Sequence, residues 1–462
     1  MNPTKSAHIA VDFGGGSGRV IAGCFSPDGE LTLTEIHRFT NRPSRLGTHF
    51  YWDFPALYEE MIEGLRLAVA AGFEILSVGV DTWGVDFGLV CADGSLVSLP
   101  YCYRDEATIP YPERFAATHD PAGHYAEAGI QVMAINTLYR LMAINDANPE
   151  LLRAARHLLF TPDLFCYYLT GVAVNEYTIA STSELLDAKT RTWNRSLIRS
   201  LGLPQELFGE IVMPGTIRGY LTDAVMARIG ADPTRRIPVV AVPSHDTAAA
   251  VSASQASSDP SMAFLSSGTW SLLGAVVAEP VLTEEARVAG FTNEGAAGGK
   301  IRFLQNITGL WILQRLEAEW RREGCHADYP TLIAEAEEAT IDTIIDVDDP
   351  AFTNPASMSE AIRQWCEARG HRAPASRGEM VRVVLASLAE RYRKGIESLN
   401  RLLPSPVTKL NIFGGGSRNT LLNRLTAEAT GLEITAGPVE ATAIGNITSQ
   451  HETLATLQAS RS

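Results

Sequence analysis

Three turns of glycine and hydroxyl residues each follow an apolar run: Asp12-Phe13-Gly14-Gly15-Gly16-Ser17, Ser266-Ser267-Gly268-Thr269 and Gly414-Gly415-Gly416-Ser417. A turn without side chains lets backbone N–H groups come close to a phosphate, and a hydroxyl adds a further donor. One such turn alone reads as an ordinary hairpin. Three together, with a carboxylate opening the first, predict a nucleotide cradle. Carboxylates also recur at the ends of apolar strands, as Asp12, Asp81 and Asp246. Asp12 is placed to organise hydrated Mg²⁺ against phosphates, because that ion favours one or two carboxylates plus water and phosphate oxygens. Asp246, in Pro243-Ser244-His245-Asp246-Thr247, stands between a strand and a small-residue helix, where it acts either as a helix cap or as a catalytic base. Asp81 lies in Val80-Asp81-Thr82-Trp83-Gly84, and Trp83 either walls a sugar face or fills core.

Several familiar patterns fail. A dinucleotide fingerprint G-x-G-x-x-G would need glycine where Arg19 or Asn419 stands. A Walker A loop around Gly299-Lys300 would begin at Glu294 and end at Ile301. Asp12-Phe13-Gly14 and Asp86-Phe87-Gly88 spell the protein-kinase D-F-G without its catalytic loop or its lysine. An NAD-dependent oxidoreductase is thereby disfavoured. His119 and His124 are separated by Pro121 and Gly123, which predicts a loop rather than a metal site. The six cysteines are scattered with no C-x-x-C pair, against a disulfide scaffold or a zinc knuckle.

With 53 acidic and 38 basic residues the net charge is −15, which repels nucleic acid and anionic lipid. The N-terminus shows no signal-peptide h-region, and the nearly uncharged 247–278 stretch is too rich in Ser, Ala and Gly for a membrane span. These features predict a cytoplasmic enzyme whose partners are small molecules.

The elements that must position these residues repeat. Ile9–Phe13, Arg19–Phe25 and Leu31–Phe39 read as strands, followed by a helix from Trp52 to Ala71 and a strand at Leu76–Val80. A second hairpin is expected, Val85–Cys91 with Leu96–Tyr103. Farther on, Met262–Leu265 and Trp270–Val277 flank the second turn, Met380–Leu403 is a long amphipathic helix, and Leu410–Phe413 leads through the third turn into a helix at Asn419–Thr430. Two strand–turn–strand units of this kind suggest an internal duplication, giving two α/β lobes over 1–245 and 246–462 with a cleft between them.

On these segments the chain resembles the FGGY carbohydrate kinases of the actin/Hsp70/sugar-kinase fold. Further carriers are Thr82-Trp83-Gly84-Val85-Asp86-Phe87, Asn306-Ile307-Thr308-Gly309-Leu310-Trp311 and Gly437-Pro438-Val439-Glu440-Ala441-Thr442; the likeness spans about Ile9 to Asn446. The resemblance implies a two-lobed, actin-like and Hsp70-like ATPase (ribonuclease H-like) α/β fold with duplicated domains and a central cleft. It implies ATP-dependent phosphorylation of the 1-hydroxyl of L-rhamnulose, with Asp246 as proton acceptor. Gly84, His245, Asp246, Thr247 and Asn306 would contact the sugar in a first, sugar-binding lobe. Gly15, Gly16, Ser17, Gly18 and Arg19, with Thr269, Gln314 and Gly415, would bind ATP, and Asp12 would organise Mg²⁺. Alternatives are a kinase of fuculose, xylulose, ribulose or a polyol, or a non-catalytic nucleotide switch of the same fold. The chain departs from many relatives at Gly16, where a hydroxyl residue is usual, and at Ala107, where arginine is common.

Overall fold

The run from Ala7 to Phe13 is buried at every position, as a strand covered on both faces must be. In the computed structural model, which describes residues 5–325 and 328–460, it belongs to β1 (Lys5–Phe13). With it run β2 (Ser17–Phe25), β3 (Leu31–Thr40), β4 (Phe73–Thr82), β5 (Thr216–Tyr220) and β6 (Pro238–Ala241), in the spatial order β5-β6-β4-β1-β2-β3. The first three strands form an antiparallel meander; β4 lies parallel to β1 and β6 parallel to β4.

A second sheet repeats this plan. Its strands are β7 (Met262–Ser267), β8 (Trp270–Val277), β9 (Thr292–Gly295), β10 (Ile301–Thr308), β11 (Lys409–Phe413) and β12 (Glu433–Ala436), ordered β9-β10-β8-β7-β11-β12. Strands β7, β8 and β10 are antiparallel neighbours, and β11 and β12 extend from β7 in parallel. The same meander with two added parallel strands occurs in each lobe, which is the duplication the sequence suggested.

Helices fix how the lobes meet. Helix α1 (Phe54–Ala70), whose first turn is capped by the Asp53 carboxylate, buries Leu57, Met61, Leu65 and Ala68 against the first sheet. Helices α2 (Asp246–Ser252) and α5 (Ala441–Ala459) lie where the sheets meet, while α3 (Trp311–Arg322) and α4 (Arg377–Leu402) pack into the second core. Val384, Leu388, Ile396 and Leu399 of α4 enter the second core, as their helical spacing requires. Helix α2 follows the first sheet yet packs Ala250 and Val251 on Met262 and Phe264 of the second. Helix α5 makes the reverse exchange, setting Ala443 and Ile447 against Ala10 and Ile21. The two helices cross at Gly445, where a Cβ would stand 1.8 Å from the carbonyl oxygen of Ala249. Only glycine permits that approach.

Two sequence expectations are corrected. The hairpin of Val85–Cys91 with Leu96–Tyr103 forms only next to its turn, through the Val90–Leu96 bridge and the hydrogen bonds Cys91 N to Ser95 O and Val97 N to Leu89 O; the continuous partner of Phe87–Val90 is His157–Phe160. Pro100 has no N–H to donate and the Tyr103 N–H goes to Asp86, whereas Leu158, Leu159 and Phe160 bring a fully buried apolar edge. The segment after His119 is not a loop. Pro121 opens the helix Pro121–Ala128, which the Asp120 carboxylate caps through the Ala122 and Gly123 N–H groups, and proline is well suited to a first helical position. His119 and His124 bond to different partners, Ser200 and Glu184. Among the described residues, no helix is long and apolar enough to cross a membrane.

Candidate active site

The segment after β6 carries the chemistry. Thr82 donates its N–H to Ser244 O at 2.9 Å, extending the β4 edge as far as His245. Behind it the fully buried Glu176 carboxylate accepts from Ser244 N (3.1 Å) and Oγ (2.6 Å) and from Thr178 Oγ1 (2.6 Å), while His245 N donates to Thr178 Oγ1 at 3.3 Å. A carboxylate saturated in this way fixes the backbone of the turn. His245 takes the N-cap position, and Asp246 is the first residue of α2. Asp246 therefore is not the cap. Its Oδ1 accepts from Thr247 N (2.5 Å) and Oγ1 (3.1 Å), which leaves Oδ2 to meet a ligand.

A cavity of about 410 Å³ lies between the lobes at this point. Gly84, His245, Asp246, Thr247 and Asn306 line it, and so do Gly15, Gly16 and Thr269. The residues expected to hold sugar and part of those expected to hold ATP thus share one space. The others lie outside that lining. Gln314, on α3, accepts from Thr269 Oγ1 at 3.1 Å; Gly415 is exposed at the third turn. Ser17 is exposed, and Gly18 is buried where a Cβ would meet the Phe39 ring at 2.2 Å, so packing alone demands glycine there. Arg19 spans Asp12 on the first lobe and Glu440 at the start of α5.

The three turns are unequal. At the first, Gly14 N donates to Ser17 O at 2.8 Å and Asn41 Nδ2 donates to Gly14 O at 2.8 Å. Gly16 has open space beside it, so no neighbour forces the departure from a hydroxyl residue. The second and third turns pack on each other: a Cβ on Gly416 would stand 2.0 Å from Ser267 Oγ. Ala107 is exposed and does not line the cavity, whereas Arg104 does and brings a positive charge to that wall.

Asp12, Asp81 and Asp246 converge electrostatically. Burial raises the pKa of Asp12, opposed by Arg19 and reinforced by the charge of Asp246. Burial likewise pushes Asp81 well above the usual carboxylate range, with the Asp12 charge adding to it. Asp81 Oδ2 accepts from Asn446 at 2.6 Å, but its buried Oδ1 has no partner. Among the described residues, no group of three or more His, Cys, Asp or Glu could hold a metal ion unaided. Paired carboxylates with one orphaned oxygen do fit an ion that keeps water and phosphate oxygens as its remaining ligands. Asp12 and Asp81 would hold it.

Other residues of the site had no role assigned to them by sequence. Val85 is left-handed at φ 66°, rare for a β-branched residue; Thr182 Oγ1 accepts from its N–H at 3.2 Å and Thr137 Oγ1 donates to its carbonyl at 2.6 Å. Asp86, dismissed as a chance D-F-G, accepts from the indoles of Trp52 (2.6 Å) and Trp83 (2.9 Å) and so sets the aromatic wall beside Gly84. Trp83 is 6% exposed: it lines the cavity, yet nearly all of its surface is core. Glu294 and Arg302 pair at 2.9 Å beside His245. Burial works to raise the Glu294 pKa, but the Arg302 guanidinium beside it outweighs that and holds it below the usual range. A charged residue inside the otherwise apolar run Ile301–Leu304 was the one sequence signal for Arg302.

Comparison with known proteins places this geometry. Solved structures of a ligand-bound xylulose kinase from Lactobacillus acidophilus (TM-score 0.81, 14% identity, 98% of this chain and 90% of that one) and a Plasmodium falciparum glycerol kinase with ADP (TM-score 0.79, 14% identity, 98% and 90%) share the architecture. The fold is the two-lobed, actin-like kinase fold. Sequence models for the N-terminal and C-terminal domains of the FGGY family of carbohydrate kinases match residues 8–252 and 263–451. The chain belongs to that family and is a carbohydrate kinase. Curated relatives include a rhamnulokinase of Bacteroides thetaiotaomicron, 46% identical over 97% of this chain and 91% of the relative. A rhamnulokinase of an Enterobacter species is 40% identical over 96% and 89%.

Proposed function

We propose that the protein transfers the γ-phosphoryl group of ATP to the 1-hydroxyl of L-rhamnulose, giving L-rhamnulose 1-phosphate. The observation that carries this reading is the single cavity joining Asp246, His245, Gly84 and Asn306 to Gly15, Gly16 and Thr269. Relatives named rhamnulokinase over nearly the whole chain support the choice of sugar.

Asp246 Oδ2 takes the proton of the 1-hydroxyl as that oxygen attacks the γ-phosphorus, while Oδ1 stays tied to Thr247. Gly84, His245, Thr247 and Asn306 orient the sugar. Gly15 to Arg19 with Thr269, Gln314 and Gly415 position the nucleotide. Asp12 and Asp81 would hold Mg²⁺, which when bound would supply charge neutralisation on the triphosphate. We assign 1–245 to the sugar lobe and 246–462 to the ATP lobe; the packing of Ala250 and Val251 on the second sheet supports that division. A cytoplasmic location is supported by the unpaired state of all six cysteines.

The test is a panel of L-rhamnulose, L-fuculose, D-xylulose, L-ribulose and glycerol with Mg-ATP, following ADP release and locating the phosphate by NMR. L-Rhamnulose should give the highest kcat/KM, with the ester on O1. A higher kcat/KM for another acceptor overturns the assignment.

A further inference from the structure

His245 is surrounded by charge from several elements. Asp246 follows it on α2, Glu294 comes from β9 and Arg302 from β10, while Glu176 anchors the turn behind it. Arg302 is fully buried, and its Nε donates to Gly295 O at 2.9 Å, which fixes the orientation of the guanidinium. One of its terminal nitrogens, Nη2, lies 2.9 Å from His245 Nδ1 and 2.9 Å from Glu294 Oε2. Glu294 Oε2 is 3.4 Å from the same Nδ1. On the other side of the ring, Nε2 lies 3.4 Å from Asp246 Oδ1.

A guanidinium only donates. Its short contact is therefore a hydrogen bond only when His245 Nδ1 offers a lone pair, and a neutral imidazole with a bare Nδ1 carries its proton on Nε2. The opposite tautomer would turn two N–H groups toward each other at 2.9 Å and leave only the longer 3.4 Å approach of Glu294 to compensate. Distance decides between them.

We propose that Arg302, steadied by Glu294, fixes His245 as the neutral tautomer protonated on Nε2, making it a hydrogen-bond donor into the sugar pocket beside Asp246. The group it would meet is a hydroxyl or carbonyl oxygen of the bound ketose, so the functional consequence rests on the sugar-kinase reading above. Gly84 keeps that approach open, since a Cβ there would come within 3.3 Å of Nε2. Arg302 is on this account a positioning residue: it acts on the sugar only through the ring.

The experiment is ¹⁵N NMR of protein labelled at its ten histidines, with the His245 signals assigned by their loss in His245→Gln. In the wild type, Nε2 should appear protonated and Nδ1 unprotonated. In Arg302→Met, Nδ1 should gain proton density toward Glu294, and the KM for the ketose should rise roughly tenfold, as loss of one hydrogen bond implies, with kcat changed less than about threefold. Arg302→Lys, whose ammonium also only donates, should keep the wild-type tautomer. A proton on Nδ1 in the wild type overturns the proposal, and so does an unaltered tautomer in Arg302→Met. Should the methionine variant not fold, the wild-type and lysine spectra still decide. Because the tautomer is read without substrate, a failed sugar panel beside the expected spectrum would refute the substrate and leave this assignment standing.

Discussion

Asp246 sits one position inside the helix that His245 begins, and its carboxylate serves the helix start through Oδ1 alone, which accepts from Thr247 N. That placement leaves Oδ2 for a hydroxyl proton, and Asp246→Asn should lower kcat by about 10²–10⁴-fold while the sugar KM moves far less, measured by steady-state kinetics. Asp86 behaves differently. Burial pushes its carboxyl up to about 7 against the pull of two indoles and an amide. The unfolded chain releases that proton near an ordinary carboxylate pKa of about 4. Between these values the folded protein holds a proton that the unfolded one has lost, so this group's contribution to stability falls as pH rises, by up to about 1.4 kcal/mol per pH unit. Asp86→Asn should flatten that slope, and urea unfolding at several pH values from 4 to 7 measures it. Asp12 and Asp246 were legible as strand-end carboxylates. Glu294 and Arg302 were not, because their meaning arises only where β9 and β10 bring them against a histidine distant in the chain.

The crossing of α2 and α5 links the site to the rest of the fold. Gly445→Ala would place a methyl 1.8 Å from Ala249 O, a backbone atom that cannot swing aside. The helices must separate, at a cost of about 1–3 kcal/mol in unfolding free energy. Since Asp246 opens α2, kcat should fall as well, and denaturant midpoints beside kinetics test both effects. Apolar runs ending in glycine turns, such as Ile9–Phe13 and Leu410–Phe413, were readable because a strand buried on both faces leaves that signature. The pairing of Phe87–Val90 with His157–Phe160 was not readable, since a short apolar run does not name its partner and a nearer segment with a turn signal stood in the way.

At the scale of the whole molecule, contacts close to the sugar pocket already join the lobes. Asn306 donates to Gln131 Oε1 at 3.0 Å, Tyr125 donates to Phe291 O at 2.9 Å, and Asn293 N donates to Gly129 O at 2.8 Å. Bridges of this kind help exclude water from the transfer. ATP consumption without sugar should accordingly be at least about a hundredfold slower than with it, as a coupled ADP assay would show. The duplication was legible from its repeated turns, but the exchange of helices was not, for nothing local tells α5 which sheet it will cover. That exchange governs how the polypeptide matures during synthesis. A nascent chain that has emerged only through the first sheet exposes Ala10 and Ile21 until Ala443 and Ile447 arrive several hundred residues later. Ribosome-bound intermediates must therefore carry a sticky, half-covered surface through most of translation, and a transcript stopped short of α5 yields no independently finished first lobe.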